Sequence, residues 1–394
     1  MKNPLIIASI DACVAHILNT VPGTIVMGIP LGIGKPNPLV NALYSRIKAL
    51  PSRKLRIITA LSLERPVGHS DLEKHFLQPL VERVFGDYPD MDYVKDLRAG
   101  QLPANIEVQE FFMKTGDYLG NADAQRGYIS TNYTFAARDM VVQGLNVIAQ
   151  AVGAKGIGDS LRLSLSSNPD ITEEVIECVR ATGQPVLAVG VINQKMPFMP
   201  NGAEVSPGFF DVVVTDPTAT HDLFAPPNNR VSPADYAIGL HASSLVVDDG
   251  TLQIGIGSLG DAVGQALIVR DRHSADYRHI LESICPTGLD GRELGRFNIG
   301  LYGCSEMLVN AFLRLIEAGI IRREVYDDAV LQRLLNSGRI KDDCVTPATL
   351  QALLDEGRIR SPLAEEDVTF LKRFGILRPE VKISGQQLRF EDQH

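Results

Sequence analysis

Cysteine pairs, long apolar runs and excess positive charge are all missing from this sequence. Its five cysteines, Cys13, Cys178, Cys285, Cys304 and Cys344, are odd in number, scattered, and contain no CxxC pair. Neither a disulfide framework nor a zinc site is signalled, no metal is expected, and a reducing cytoplasm fits best. No apolar run nears the length of a membrane span. In the N-terminal MKNPLIIASIDACVAHIL, Asp11 interrupts the short apolar stretch and no small-residue cleavage site follows, so the chain reads as soluble with no membrane partner. Lys and Arg number 38 against 47 Asp and Glu, a formal net charge of −9, which disfavours a general polyanion binder and makes nucleic acid an unsuited partner. Tryptophan is also absent, which excludes nothing.

What is present is 394 residues, 45% hydrophobic and 22% charged, too long for one ordinary domain and too apolar for disorder. The first half alternates β-type apolar runs with amphipathic stretches: TIVMGIPLG, a helical NPLVNALYSRIKAL, then LRIITALSL. The rhythm returns in GLNVIAQAVG, SLRLSLSSN, a helix over Ile171 to Thr182 capped by Asp170 or Thr172, and QPVLAVGVI. Continuous apolar strands between helices predict an α/β fold with a parallel sheet covered on both faces. The Pro-, Asn- and Asp-rich DPTATHDLFAPPNNRVSPADY reads as a linker, with a domain boundary near Phe224. Beyond it come predicted strands SSLVVDDG and TLQIGIG, a helix DAVGQALIVR, a polar segment to about Arg296, a strand FNIGLYG and a helix EMLVNAFLRLIEAG. From about Glu324 the pattern changes to short helices, capped by Thr346 and Ser361, and a small strand pair, VKI and QLRF, around Ser384-Gly385. The expected division is therefore 1–224, 225–323 and a tail of 324–394.

Two glycine-rich turns stand between a strand and a helix. GIPLGIGKPNP contains Gly28, Gly32 and Gly34; its N–H groups can hold an anion at a helix N-terminus, or its glycines simply allow close packing. It is not a Walker A loop, since Ile29 stands where the first glycine is required and Pro36 where the hydroxyl is. Lys35 reads as a weak phosphate contact or a solvated charge. GIGSLG, with Gly255, Gly257 and Gly260, matches G-x-G-x-x-G, yet the following RDRHSADYRHILESICPTGLDGRELGR is polar and supplies no second Rossmann strand. A nicotinamide oxidoreductase is accordingly only a third reading. Glu306 follows the predicted strand FNIGLYG, at a strand end and helix start where open α/β sheets bind ligands. It is either a reactive carboxylate or an acidic residue complementing a helix dipole, with Ser305 as helix cap. The neighbouring thiol Cys304 has no histidine near it in sequence.

In this order the segments resemble the acetyl-CoA hydrolase/transferase family, the class I CoA-transferases that include 4-hydroxybutyrate CoA-transferase-like proteins. The likeness runs from about Gly28 to about Asp327 through GIPLGIGKPNPLVNAL, STNYTFAARD (Ser130 to Asp139), GLNVIAQA, VINQKMPFMPNGAEV (Val191 to Val205), GIGSLGDAV and GLYGCSEMLVNAFLRLIEAGII (Gly300 to Ile321). The resemblance implies two tandem CoA-transferase-like parallel or mixed sheet domains flanked by helices. It makes Glu306 the covalent nucleophile, attacking an acyl-CoA thioester and ending as a glutamyl-CoA thioester. It gives the turn of Gly255, Gly257, Ser258, Leu259 and Gly260 a role in holding the oxyanion and the pantetheine arm, with Gly257 and Ser258 catalytic. It places Gly28, Gly32, Gly34 and Asn193 around the acyl group or CoA. Coenzyme A enters as a substrate rather than a tightly bound cofactor, together with a small carboxylic acid.

The sequence departs from that family after Glu324, where a Gly-Gly-Gln loop and further βα units are not found, and between Asp271 and Arg296, where an insertion could cover the site. The second sheet is therefore expected to be incomplete, the chain to lack the C-terminal part of such a protein, and its open edges to favour a homo-oligomer or association with another chain. A non-catalytic CoA-binding remnant or subunit is the alternative function.

Overall fold

The computed structural model describes residues 3–224, 230–305, 307–384 and 387–390, which fold as two compact units. The first takes Met1–Gly239 together with Ile254–Val263 and Ser305–Leu313; the second takes Leu240–Gln253, Gly264–Cys304 and Arg314–His394. No cut falls at Phe224. That residue packs its ring on Phe85 and Tyr88, so the polar stretch expected to be a linker is anchored to the first unit at this point.

The first unit contains, among the described residues, a nine-stranded sheet: β1 (Leu5–Ile7), β2 (Thr24–Gly28), β3 (Lys54–Thr59), β4 (Ile106–Glu110), β5 (Val147–Lys155), β6 (Arg162–Ser164), β7 (Leu187–Ile192), β8 (Glu204–Val205) and β9 (Val212–Val214). Seven strands run parallel in the order β1-β9-β7-β5-β2-β3-β4, and β6 and β8 add an antiparallel extension along the last three residues of β5. The helices are α1 (Ile10–Thr20), α2 (Asn37–Lys48), α3 (Asp71–Phe85), α4 (Asp92–Arg98), α5 (Ala122–Arg126), α6 (Tyr133–Val142) and α7 (Thr172–Ala181).

Strand alternation sends side chains to opposite faces. Ile25, Met27, Ile57, Val189 and Val191 join α1, α2 and α4 in one core, while Val26, Ile58, Ile148, Ala188 and Val213 join α6 and α7 in another. Both faces are buried, which is why the strands read as unbroken apolar runs. The expected α/β class, a large parallel sheet flanked by helices, is what this chain forms. Asp170 does not cap α7, whose N-cap is Ile171; at φ 57 its carboxylate turns back to the chain after β2.

After α8 (Pro233–Ser243) and before α9 (Ser258–Arg272) lies β10 (Thr251–Gln253), which pairs in parallel with β11 (Tyr302–Cys304). The predicted strand over SSLVVDDG is absent: the stretch is a helix end and turns. The Ser243 and Ser244 hydroxyls donate back to the Leu240 and His241 carbonyls, and Asp248 accepts from the N–H groups of Asn298, Ile299 and Gly300 at 2.7, 3.1 and 2.8 Å. Local side-chain bonds of this kind compete with a strand ladder.

Arg270, 1% exposed, fixes the same turn by donating to the Ser243, Val246 and Gly295 carbonyls and lying over the Phe297 ring. Arg270→Met strands those acceptors and is expected to cost about 3 kcal/mol of the second unit's stability, read by urea unfolding.

The polar segment expected to cover the site forms α10 (Ser274–Ile284), a helix of the second unit. The helix after β11 is α11 (Asn310–Glu317), which starts too late for Ser305 to cap it. The tail forms α12 (Ala329–Asn336), α13 (Pro347–Asp355), α14 (Glu365–Arg373) and a hairpin of β12 (Val381–Ser384) with β13 (Gln387–Phe390). Thr346 holds the N-cap position of α13, but Ala364, not Ser361, holds that of α14, its N–H donating to Asp367. The helices share a core of Leu331, Leu334, Leu353, Phe370 and Leu371. Among the described residues the second unit's sheets are two-stranded, and no helix is long and apolar enough to cross a membrane.

Candidate functional site

Parallel strands deliver the chain segments that follow their C-terminal ends to one edge of a sheet. Here β2, β3 and β4 bring Leu31 and Gly32, Leu61 and Leu63, and Phe111 and Phe112 to the wall of a single cavity of about 630 Å³. The chain reverses direction across the sheet between β2 and β5, since β2 leads through α2 to β3 on one side and β5 leads through α7 to β7 on the other. Ligands favour such switch points. Thr131, Asn132 and Tyr133 at the start of α6 and Asn168 before α7 contribute the polar part of the lining, and α3 closes a side with Leu80, Val84 and Phe85.

The turn after β2 is held from several directions. The Leu31 N–H donates to the Asp170 carboxylate, the Ala151 N–H donates to the Gly34 carbonyl at 2.7 Å, and the Thr59 hydroxyl donates to the Pro30 carbonyl at 3.1 Å. A Cβ on Gly28 would stand 2.4 Å from the Leu145 side chain, and one on Gly32 would stand 2.4 Å from Asn168 Oδ1 and 3.4 Å from Met307 Sδ. Close packing therefore accounts for these glycines, and the Leu31 N–H is already spent on Asp170.

Lys35 is not a solvated charge. It is 2% exposed, and its ammonium donates to the Ala60 and Leu61 carbonyls at 2.6 and 2.8 Å. That grip pins the chain leaving β3, where Leu61 takes φ 50. Burial depresses the Lys35 pKa to about 8, against the opposing pull of Glu110 and Asp170. Burial pushes both of those carboxyls up; the main opposition comes from Lys35 for Glu110 and from the Tyr133 hydroxyl for Asp170. Glu110 Oε1 accepts from Ser62, while Oε2 has no hydrogen-bond partner. Sequence reading had no means of finding this buried triad, because its members lie 75 and 60 residues apart along the chain and meet only through the sheet.

The glycine turn of 255–260 enters α9, and its Ile256 lines the same cavity. Gly257 adopts φ +133, the Ser258 side chain bonds Asp235, Leu259 is exposed, and a Cβ on Gly260 would stand 2.5 Å from the Gly255 carbonyl oxygen. Glu306 lies outside the described residues. Its neighbours do not: Met307 lines the cavity, and the Ser305 hydroxyl donates to the Ile254 and Met307 carbonyls at 2.9 and 2.5 Å. Ser305 is thus tied to Ile254, the residue before the glycine turn.

Asn193 is placed elsewhere. It is buried, its amide donates to the His221 carbonyl at 3.1 Å and its oxygen accepts from the Lys195 N–H at 2.9 Å, so it organises the turn after β7. Among the described residues no cluster of His, Cys, Asp and Glu is arranged to hold a metal ion.

No protein-family model matches the sequence, and no curated protein matches it. Solved structures do. RipA from Yersinia pestis is 15% identical with a TM-score of 0.51, over 80% of this chain and 59% of RipA. A 4-hydroxybutyrate CoA-transferase from Porphyromonas gingivalis is 17% identical with a TM-score of 0.43, over 80% and 57% of the two chains. A candidate citrate lyase alfa subunit from Streptococcus mutans, solved with citrate, is 14% identical with a TM-score of 0.46, over 86% and 59%. The likeness to RipA shows a shared fold, and this chain spans about three fifths of that structure's length.

Proposed function

We propose that this chain carries out carboxylate-based CoA chemistry: acyl-CoA:carboxylate CoA transfer, or acyl-CoA hydrolysis, with Glu306 as the nucleophile. The observation that supports it is the convergence of four separated segments on one cavity. Gly32, Tyr133, Ile256 and Met307 come from the stretches whose order resembles the acetyl-CoA hydrolase/transferase family, and all line the same space.

In this reading the Glu306 carboxylate attacks the thioester carbonyl, the C–S bond breaks, and CoA leaves as its thiolate. The thiolate then attacks the glutamyl carbonyl of the resulting anhydride, releasing the donor acid as a carboxylate and leaving a glutamyl-CoA thioester. An acceptor carboxylate repeats the two steps in reverse, or water cleaves the thioester. Donors at the 257–260 turn would stabilise the oxyanions. Because carboxylates are exchanged for carboxylates, each exchange is nearly balanced.

The test is incubation with an acyl-CoA, borohydride trapping and peptide mass spectrometry across Asn298 to Arg314. A reduced adduct on Glu306, absent in Glu306→Gln, is the expected result, and transfer activity retained by Glu306→Gln overturns the assignment. No adduct on folded protein favours the second reading, a CoA-binding subunit that needs another chain. The pairwise sheets of the second unit support that alternative.

A further inference from the structure

We infer that the acid carried at this cavity is apolar and of medium length, on the order of six to ten carbons or ending in a phenyl ring, rather than a short polar acid. For what the acid is used for, this rests on the CoA reading above; the binding itself does not. The cavity has two unlike ends. Gly32, Asn168 and Met307 meet at one, where Asn168 supplies the polar side chain. Leu61, Leu63, Phe111 and Phe112 and the α3 residues Val84 and Phe85 form walls with no charged side chain among them.

Helix α3 has no buried residue of its own, although a reciprocal capping box of Ser70 and Glu73 fixes its start. Its Leu80 is 42% exposed and Phe112 52%, although both line the cavity. These apolar surfaces gain a partner only when something apolar occupies the space between them. A volume of about 630 Å³ far exceeds what acetate or butyrate fills and leaves room for a chain of roughly eight carbons. Each methylene that leaves water should tighten binding about fourfold.

The experiment is calorimetric titration of the full chain, native and Glu306→Gln, with sodium acetate, butyrate, hexanoate, octanoate and 3-phenylpropionate. Affinity is expected to climb about fourfold per methylene from butyrate to octanoate. In Val84→Asp octanoate should weaken at least tenfold, while Glu82→Gln, an exposed α3 position on the helix face away from Leu80 and Val84, should leave it unchanged. A flat series overturns the inference, as does octanoate binding lost in Glu82→Gln but kept in Val84→Asp. The two readings fail separately. Octanoate binding without any Glu306 adduct keeps the apolar site and removes the CoA chemistry; a Glu306 adduct from acetyl-CoA with a flat acid series does the reverse.

Discussion

Lys35→Met is expected to destabilise the first unit by about 3 to 5 kcal/mol, the range for removing one partner of a buried charged group. The lost ammonium leaves the Ala60 and Leu61 carbonyls without their donor and leaves Glu110 and Asp170 buried with no cation beside them. A shorter apolar side chain would not refill those hydrogen bonds, so the cost is one of stranded acceptors rather than of volume.

The pH dependence has a defined sign. The folded Lys35 value of about 8 lies below the ordinary 10.5. Between those values the unfolded chain holds the extra proton, so this group makes native stability rise with pH from about 8 to 10.5, and the variant lacks that rise. Glu110 and Asp170 have raised folded values, so their contribution is present below the ordinary carboxyl value and is lost as pH climbs through the folded one. Without Lys35 their values move higher still. The gap between native protein and variant should therefore be smallest near pH 5 and widen toward pH 9.5, as measured by urea unfolding at three pH values. An equal loss at all three would mean that Lys35 acts through packing alone.

The second large effect concerns the glycine turn. Gly260→Ala places a methyl group 2.5 Å from the Gly255 carbonyl oxygen, within the turn, and 2.7 Å from the Ile254 side chain just before it. The neighbour at 2.5 Å is backbone, so the turn itself must open. Ile254 is also the residue whose carbonyl accepts from Ser305, so the displacement reaches the segment of Glu306. A shift of about 1 Å at a reacting centre costs on the order of 100-fold in rate, and under the CoA chemistry proposed above Glu306 adduct formation should fall by that factor. Gly257→Ala meets no atom within 4 Å but must hold φ +133, a conformation nearly confined to glycine. It should lose rate through backbone strain instead. Undiminished adduct formation in both variants would remove the turn from the chemistry.

Most of the first unit's frame was readable from the chain. The runs that become β2, β5 and β7 are continuous because the sheet is covered on both faces, and the amphipathic pattern of α2 lies between Pro36 and Pro51 with a clear period. The short edges were harder to see. β1 and β9 are three residues each and pair across more than 200 positions. The stretch SSLVVDDG has strand composition, yet Arg270 and Asp248 hold it as a turn through bonds made to residues far along the chain.

Of the candidate site, the sequence by itself determined the two glycine turns and the order in which these segments follow one another. Those are local properties: backbone freedom, apolar period and residue type. Only the tertiary structure decided that Asn193 belongs to a turn and not to the cavity, that Lys35 is a buried anchor between two carboxyls, and that Asp170 holds the turn after β2 instead of capping a helix. The reason is that a side chain's burial and its partners depend on which strands become neighbours. In a parallel sheet those neighbours are joined by crossovers that no local pattern records.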